Sequence, residues 1–95
     1  GAIRARYGDE GDYWTARAAT MGPQLRVDPD ALTPPLDRLR AEIGPETTVL
    51  DVGAGWGRFA VPLARAARLV TAVEPSAPLR AALRENAARA GIPPD

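Results

Sequence analysis

The sequence predicts an α/β fold, the N-terminal half of a doubly wound parallel sheet in βαβα order with helices before it. Three observations predict it: two short β-branched runs at 47–52 and 69–73, a glycine-rich turn after the first, and amphipathic helical spacing between and after them. The 95 residues allow one small domain. Twelve arginines balance twelve acids, and the chain has no lysine, cysteine or histidine. That excludes a zinc module, a disulfide scaffold and a histidine-dependent catalyst. Alanine supplies nineteen residues of the 45% hydrophobic content, which suits helices better than a thick core.

The arginines are scattered, whereas phosphate binding needs a concentrated positive stripe, so a nucleic-acid partner is not expected. In the second half the longest uncharged apolar stretch, Phe59 to Ala64, is six residues, far short of the roughly 20 that cross a bilayer. The opening Gly1-Ala2-Ile3-Arg4 has neither an initiator methionine nor an apolar signal core, and a cytoplasmic location is expected.

The first helix is expected after the acidic stretch Gly8 to Asp12. Asp12 is suited to cap it, and Trp14, Ala18 and Met21 fall on one face before Gly22-Pro23 breaks it. Tyr13 and Trp14 are expected to pack in the core. Asp9, Glu10 and Asp12 lack the ligand spacing of a calcium loop, and no metal is assigned. A second helix follows Thr33-Pro34, with Leu36, Leu39 and Ile43 on its inner face and Gly44-Pro45 as its stop. Thr47 to Val52 then reads as a parallel strand buried on both faces.

Beyond the glycines, Phe59, Leu63, Ala66 and Ala67 define the inner face of a third helix, opposite Arg58, Arg65 and Arg68. Pro62 is close enough to the helix start to be tolerated there. Leu69 to Val73 forms the second strand, ended by Glu74 and a Pro75-Ser76 turn. Ser76 and Pro78 open a last helix with Leu79, Ala82, Leu83, Ala87 and Ala90 inside, Glu85 and Arg89 paired outside, and Gly91 as its stop. Two parallel strands cannot cover their own faces and edges, so further strands are expected from the remainder of a longer chain or from a partner.

The chemistry-bearing stretch is Val49 to Gly57, in which a strand passes through Asp51 into glycines at every second position and then into a helix. Glycine is required where the backbone turns with positive φ or where a ligand must touch it directly. Glu74 closes the next strand, which brings its carboxylate beside the glycines at the carboxyl edge of the sheet, where open α/β folds bind ligands. A strand-end acid there accepts hydrogen bonds from ribose hydroxyls. Asp51 sets a second negative charge beside the loop, which repels a pyrophosphate and attracts a cationic amine. Trp56 is expected to cover the ligand's edge, and Arg58 is the one surface arginine near the loop.

These residues resemble the class I S-adenosylmethionine-dependent methyltransferases. Their first motif, acid-x-Gly-x-Gly-x-Gly, is complete as Asp51-Val52-Gly53-Ala54-Gly55-Trp56-Gly57, and Leu69 to Ser76 is similar to their second motif with Glu74 as its acid. The resemblance covers about residues 47 to 91 and implies a Rossmann-like fold with S-adenosylmethionine as cofactor. Asp51, Gly53, Ala54, Gly55 and Gly57 would then hold the methionine part, Glu74 the ribose, and Pro75 and Ser76 the border of the adenine. It also implies a division into a helical cap, 1–46, and the first half of the cofactor domain, 47–95. The family's third and fourth strands, which carry many of its catalytic residues, are absent from these residues, so no catalytic residue is nominated.

The expected activity is methyl transfer, with a small molecule favoured as acceptor and this stretch alone inactive. Two alternatives stay open. One is a noncatalytic S-adenosylmethionine-binding module. The other is a nicotinamide-dependent oxidoreductase fragment, disfavoured because the G-x-G-x-x-G fingerprint needs glycine where Arg58 stands.

Overall fold

The computed structural model describes residues 1–6 and 12–95, and the side chains of these apart from 12–15 and 23. Asp9 and Glu10, and the side chains of Asp12, Tyr13 and Trp14, lie outside the described residues. In chain order the elements are β1 (Ala2–Arg6), α1 (Asp12–Met21), a 3-10 turn (Gly22–Leu25), α2 (Pro34–Glu42), β2 (Thr48–Val52), α3 (Ala60–Ala66), β3 (Leu69–Val73) and α4 (Ala77–Arg89). Three parallel strands form one sheet in the order β1-β3-β2. Thr48 pairs with Leu69 and Val52 with Val73, while Ala2 and Arg6 meet the same two residues from the other side. All three carboxyl ends therefore line up at one edge.

Strand β1 corrects the sequence reading, which saw only a chain opening in residues 1–4 and placed no strand there. Five residues with a single large aliphatic carry too little local pattern to declare themselves. Pairing decides it: β1 takes its hydrogen bonds from β3, and Glu74 N–H donates to Arg6 O at 3.0 Å. Residues 93–95 run along the other edge of β1, with Ile3 N–H donating to Pro93 O and Asp95 N–H donating to Ile3 O, both at 3.2 Å. The Arg4 guanidinium pairs with the Asp95 carboxylate.

Strand side chains alternate between faces, and among the described residues only one face is covered. Ile3, Val70 and Ala72 are buried on it, with Val49 packed alongside, against Leu36 of α2, Ala60 and Leu63 of α3, and Leu83 and Ala87 of α4. The opposite face presents Leu50 and Val52 at 66% and 73% exposure. The expectation that Thr47–Val52 is buried on both faces fails here, because the core-forming helices lie on one side.

The helix ends follow local chemistry. At α4 the side chain of Ser76 accepts from Leu79 N–H, and Gly91 takes φ 74°. Gly91 N–H returns to Ala88 O and Ile92 N–H to Ala87 O, a Schellman closure that seats Ile92 in the core. Helix α2 behaves differently from its sequence reading. Thr33 holds the N-cap position without a side-chain cap bond, and the helix ends at an extended Ile43 rather than on Gly44. Leu39, expected inside, is 43% exposed.

Candidate cofactor site

Strand β2 delivers Asp51 to the carboxyl edge of the sheet and turns immediately into the glycine loop. Gly53, Gly55 and Gly57 all have positive φ, at 75°, 60° and 94°. That region penalises any residue with a Cβ, so the alternating glycines are what let the chain turn this sharply. The loop is tied to β3, because Gly53 N–H and Ala54 N–H both donate to Val73 O, at 2.8 and 3.1 Å.

The three glycines have different neighbours. A Cβ at Gly53 or Gly55 would meet nothing within 4 Å, so both leave bare backbone facing open space. A Cβ at Gly57 would lie 2.8 Å from Val61 Cγ2 and 3.3 Å from Leu83 Cγ, so this glycine lets α3 and α4 pack closely. The open side belongs to a hollow of about 300 Å³ lined by Gly53, Gly55, Trp56, Glu74, Pro75 and Leu79. Asp51, Ala54, Gly57 and Ser76 do not line it. Ala54 and Ser76 are buried beneath, and Asp51 is half-buried at the end of β2.

Glu74, only 4% exposed, joins the two halves of the site. Its Oε1 accepts Gly55 N–H at 2.9 Å and its Oε2 accepts Ser76 N–H at 2.8 Å. A carboxylate has about four acceptor sites, so two remain for a ligand's hydroxyls. Arg80 was not singled out in the sequence, yet its guanidinium donates to Glu74 O and Pro75 O at 2.7 and 2.8 Å and fixes the turn behind the acid. Asn86 was also missed. The only available signal was a polar residue on a helix face that buries Leu79, Leu83 and Ala87. The Arg58 guanidinium lies 5.7 Å from the ring centroids of both Trp56 and Phe59. The indole N–H of Trp56 is buried without a hydrogen-bond partner.

Burial raises the Asp51 carboxyl above its ordinary pKa, and the nearby Glu74 carboxylate raises it further. Two negative charges that feel each other near bare backbone disfavour a phosphate and favour a ligand that brings positive charge. S-adenosylmethionine carries groups that suit such a setting, a sulfonium and an ammonium to offset negative charge and ribose hydroxyls that a carboxylate can accept from.

The titration has a stability consequence with a defined sign. A carboxyl whose folded pKa exceeds its unfolded value contributes most below the unfolded value, and that contribution is lost as pH rises through the folded one. Asp51→Asn is therefore expected to melt above wild type at pH 7, with the gap narrowing toward about pH 4. Parallel thermal melts at the two pH values check it, and a variant that melts below wild type at pH 7 contradicts it.

Among the described residues no group of acids is placed to hold a metal, and no helix is long and apolar enough to cross a membrane.

Residues 49–94 match the family model described as a methyltransferase domain. The chain is similar to 23S rRNA (uracil(1939)-C(5))-methyltransferase RlmD of Stenotrophomonas maltophilia strain K279a, at 49% identity over 54% of this chain and 12% of that enzyme. The same enzyme of Xanthomonas campestris pv. campestris strain 8004 is 50% identical over 50% of this chain and 11% of its own length. The chain thus spans roughly an eighth of these relatives. No solved structure matches it.

These relatives overturn one expectation. Charge balance points to a small-molecule acceptor and away from nucleic acid, yet the similar enzymes are named for methylating 23S rRNA. The charge argument weighed only these 95 residues, whereas the stretch aligned with such an enzyme makes up 12% of it, and phosphate-binding surface can lie elsewhere in an enzyme of that kind. With the acid-glycine motif, the parallel strands and the covering helices in place, residues 49–94 belong to the methyltransferase-domain family, in its class I, S-adenosylmethionine-dependent form.

Proposed function

We propose that this chain supplies the cofactor-binding half of an S-adenosylmethionine-dependent methyltransferase whose acceptor is RNA, with a uracil base of ribosomal RNA as the first candidate. The acceptor reading rests on the relatives' substrate and carries a cytoplasmic location with it. The cofactor reading rests on one observation above the rest: the Glu74 carboxylate is bonded to Gly55 N–H at the wall of a hollow bordered by side-chain-free backbone.

In this reading Gly53 and Gly55 let the methionine part lie against the main chain, and Asp51, Ala54 and Gly57 shape the turn that presents them. Glu74 accepts from the ribose while holding the loop and the Ser76 amide in register. Pro75 walls the adenine side, and Ser76 supports it from beneath through its bonds to Glu74 and to the start of α4. When bound, S-adenosylmethionine supplies an electrophilic methyl group on a sulfonium, so the protein's task is approach geometry and exclusion of water. A cationic ligand favours ionised Asp51, so binding is expected to tighten as pH rises through the raised Asp51 pKa.

Calorimetry on the full-length protein with S-adenosylhomocysteine, S-adenosylmethionine and NAD tests the cofactor. Preferential NAD binding overturns it. Methyl transfer from labelled S-adenosylmethionine to unmodified ribosomal RNA, compared with a small-molecule extract, tests the acceptor. Label confined to the small-molecule fraction refutes RNA.

A further inference from the structure

Asn86 is 2% exposed in the last turn of α4, on a face otherwise given to Leu79, Leu83 and Ala87. A buried amide is costly unless its hydrogen bonds are met. Here they are met by groups far apart in the chain. Its Nδ2 donates to Leu25 O at 2.6 Å and to Trp56 O at 2.9 Å, and its Oδ1 accepts from the Arg89 guanidinium at 2.6 Å. Two carbonyls on one side and a guanidinium on the other leave only one way round for the amide, so its orientation follows from chemistry.

The two carbonyls belong to different parts of the molecule. Trp56 sits in the glycine loop between Gly55 and Gly57, and Leu25 ends the 3-10 turn that follows α1. One NH2 group therefore grips both the wall of the hollow and the segment that precedes α2. Rotation of the Trp56–Gly57 peptide breaks a bond to the same side chain that holds Leu25. The Trp56 indole N–H is unpartnered, so the hydrogen bond to Asn86 is made by the main-chain carbonyl and not by the ring.

We propose that Asn86 is a positioning residue that fixes the glycine loop for cofactor binding and couples it to residues 22–25, so that filling the hollow tightens the segment leading from α1 to α2. This rests on the cofactor reading above. The test uses the full-length protein, its Asn86→Ala and Asn86→Gln variants, S-adenosylhomocysteine calorimetry, and amide hydrogen exchange with and without that ligand. In wild type the ligand is expected to slow exchange at Gln24 to Val27 as well as at Gly55 and Ser76. In Asn86→Ala affinity falls about 10-fold, and slowing persists at the site but is lost at Gln24 to Val27. Asn86→Gln keeps the amide but is one methylene too long to bridge both carbonyls, and is expected to behave like Asn86→Ala. A merely structural asparagine would raise exchange equally with and without ligand.

If wild type fails to bind S-adenosylhomocysteine, the cofactor reading falls. If it binds with no slowing at Gln24 to Val27, the coupling is refuted on the unaltered protein, whether or not the variants fold. Variants that retain wild-type affinity and wild-type slowing also refute it.

Discussion

Glu74→Gln is expected to weaken S-adenosylhomocysteine binding on the order of 10 to 100-fold and to lower the melting temperature at the same time. Both effects come from one replacement of oxygen by NH2. The carboxylate accepts Gly55 N–H on one oxygen and Ser76 N–H on the other, and the amide can satisfy only one of them. Its NH2 then faces a backbone donor in a place where the side chain is almost fully buried. An unsatisfied buried donor costs about 1–3 kcal/mol, and each kilocalorie is worth roughly 4–8 °C in a domain of this size. The proposed contact to a ribose would also lose its charge assistance. Calorimetry and a thermal melt on the same preparation read both quantities, and an affinity equal to wild type would remove Glu74 from the site.

The glycines are expected to divide sharply, with Gly57→Ala the most damaging to stability. Its Cβ would stand 2.8 Å from Val61 Cγ2 and 3.3 Å from Leu83 Cγ, on backbone held at φ 94°. Overpacking of about 1–3 kcal/mol adds to the cost of holding alanine in that conformation, about 1–2 kcal/mol, so a loss of roughly 3 kcal/mol is expected. Gly55→Ala meets open space and carries only the backbone term. It is expected to fold, with a stability loss near 1 kcal/mol, and to lose most of its S-adenosylmethionine affinity because the new methyl group projects where the ligand would lie. Denaturant titrations and calorimetry on the pair separate the roles. Equal stability losses for the two variants would contradict the distinct packing of Gly57.

That distinction could not be read from the sequence, where the glycines of Gly53-Ala54-Gly55-Trp56-Gly57 look equivalent. Strand β2, the loop, α3, β3 and α4 were legible because each is announced locally, by β-branched runs, by glycines at fixed spacing, or by a serine and a proline at a helix start. Strand β1 was not, since Ala2 to Arg6 is a strand only by virtue of β3 beside it. Exposure was the second blind spot. Leu50 and Val52 read as core residues, and whether a strand face is covered depends on which side the helices cross. That Asp51 and Glu74 stand at the carboxyl ends of neighbouring strands was legible, but the two N–H bonds that make Glu74 a joint between loop and strand depend on backbone geometry that no residue type encodes. Arg80 and Asn86 act through main-chain carbonyls, which every sequence contains and none displays.

The uncovered side of the sheet reaches further than solubility. Val52 stands 73% exposed immediately before Gly53, so the last rung of β2 is also the hinge from which the loop hangs. Shielding Leu50 and Val52 from water would contribute about 1–3 kcal/mol for each side chain. Any layer laid over that flank would brace the strand from which the glycine loop hangs, so that, in the proposed reading, ligand held at the strand ends would be linked thermodynamically to what is stacked on that face.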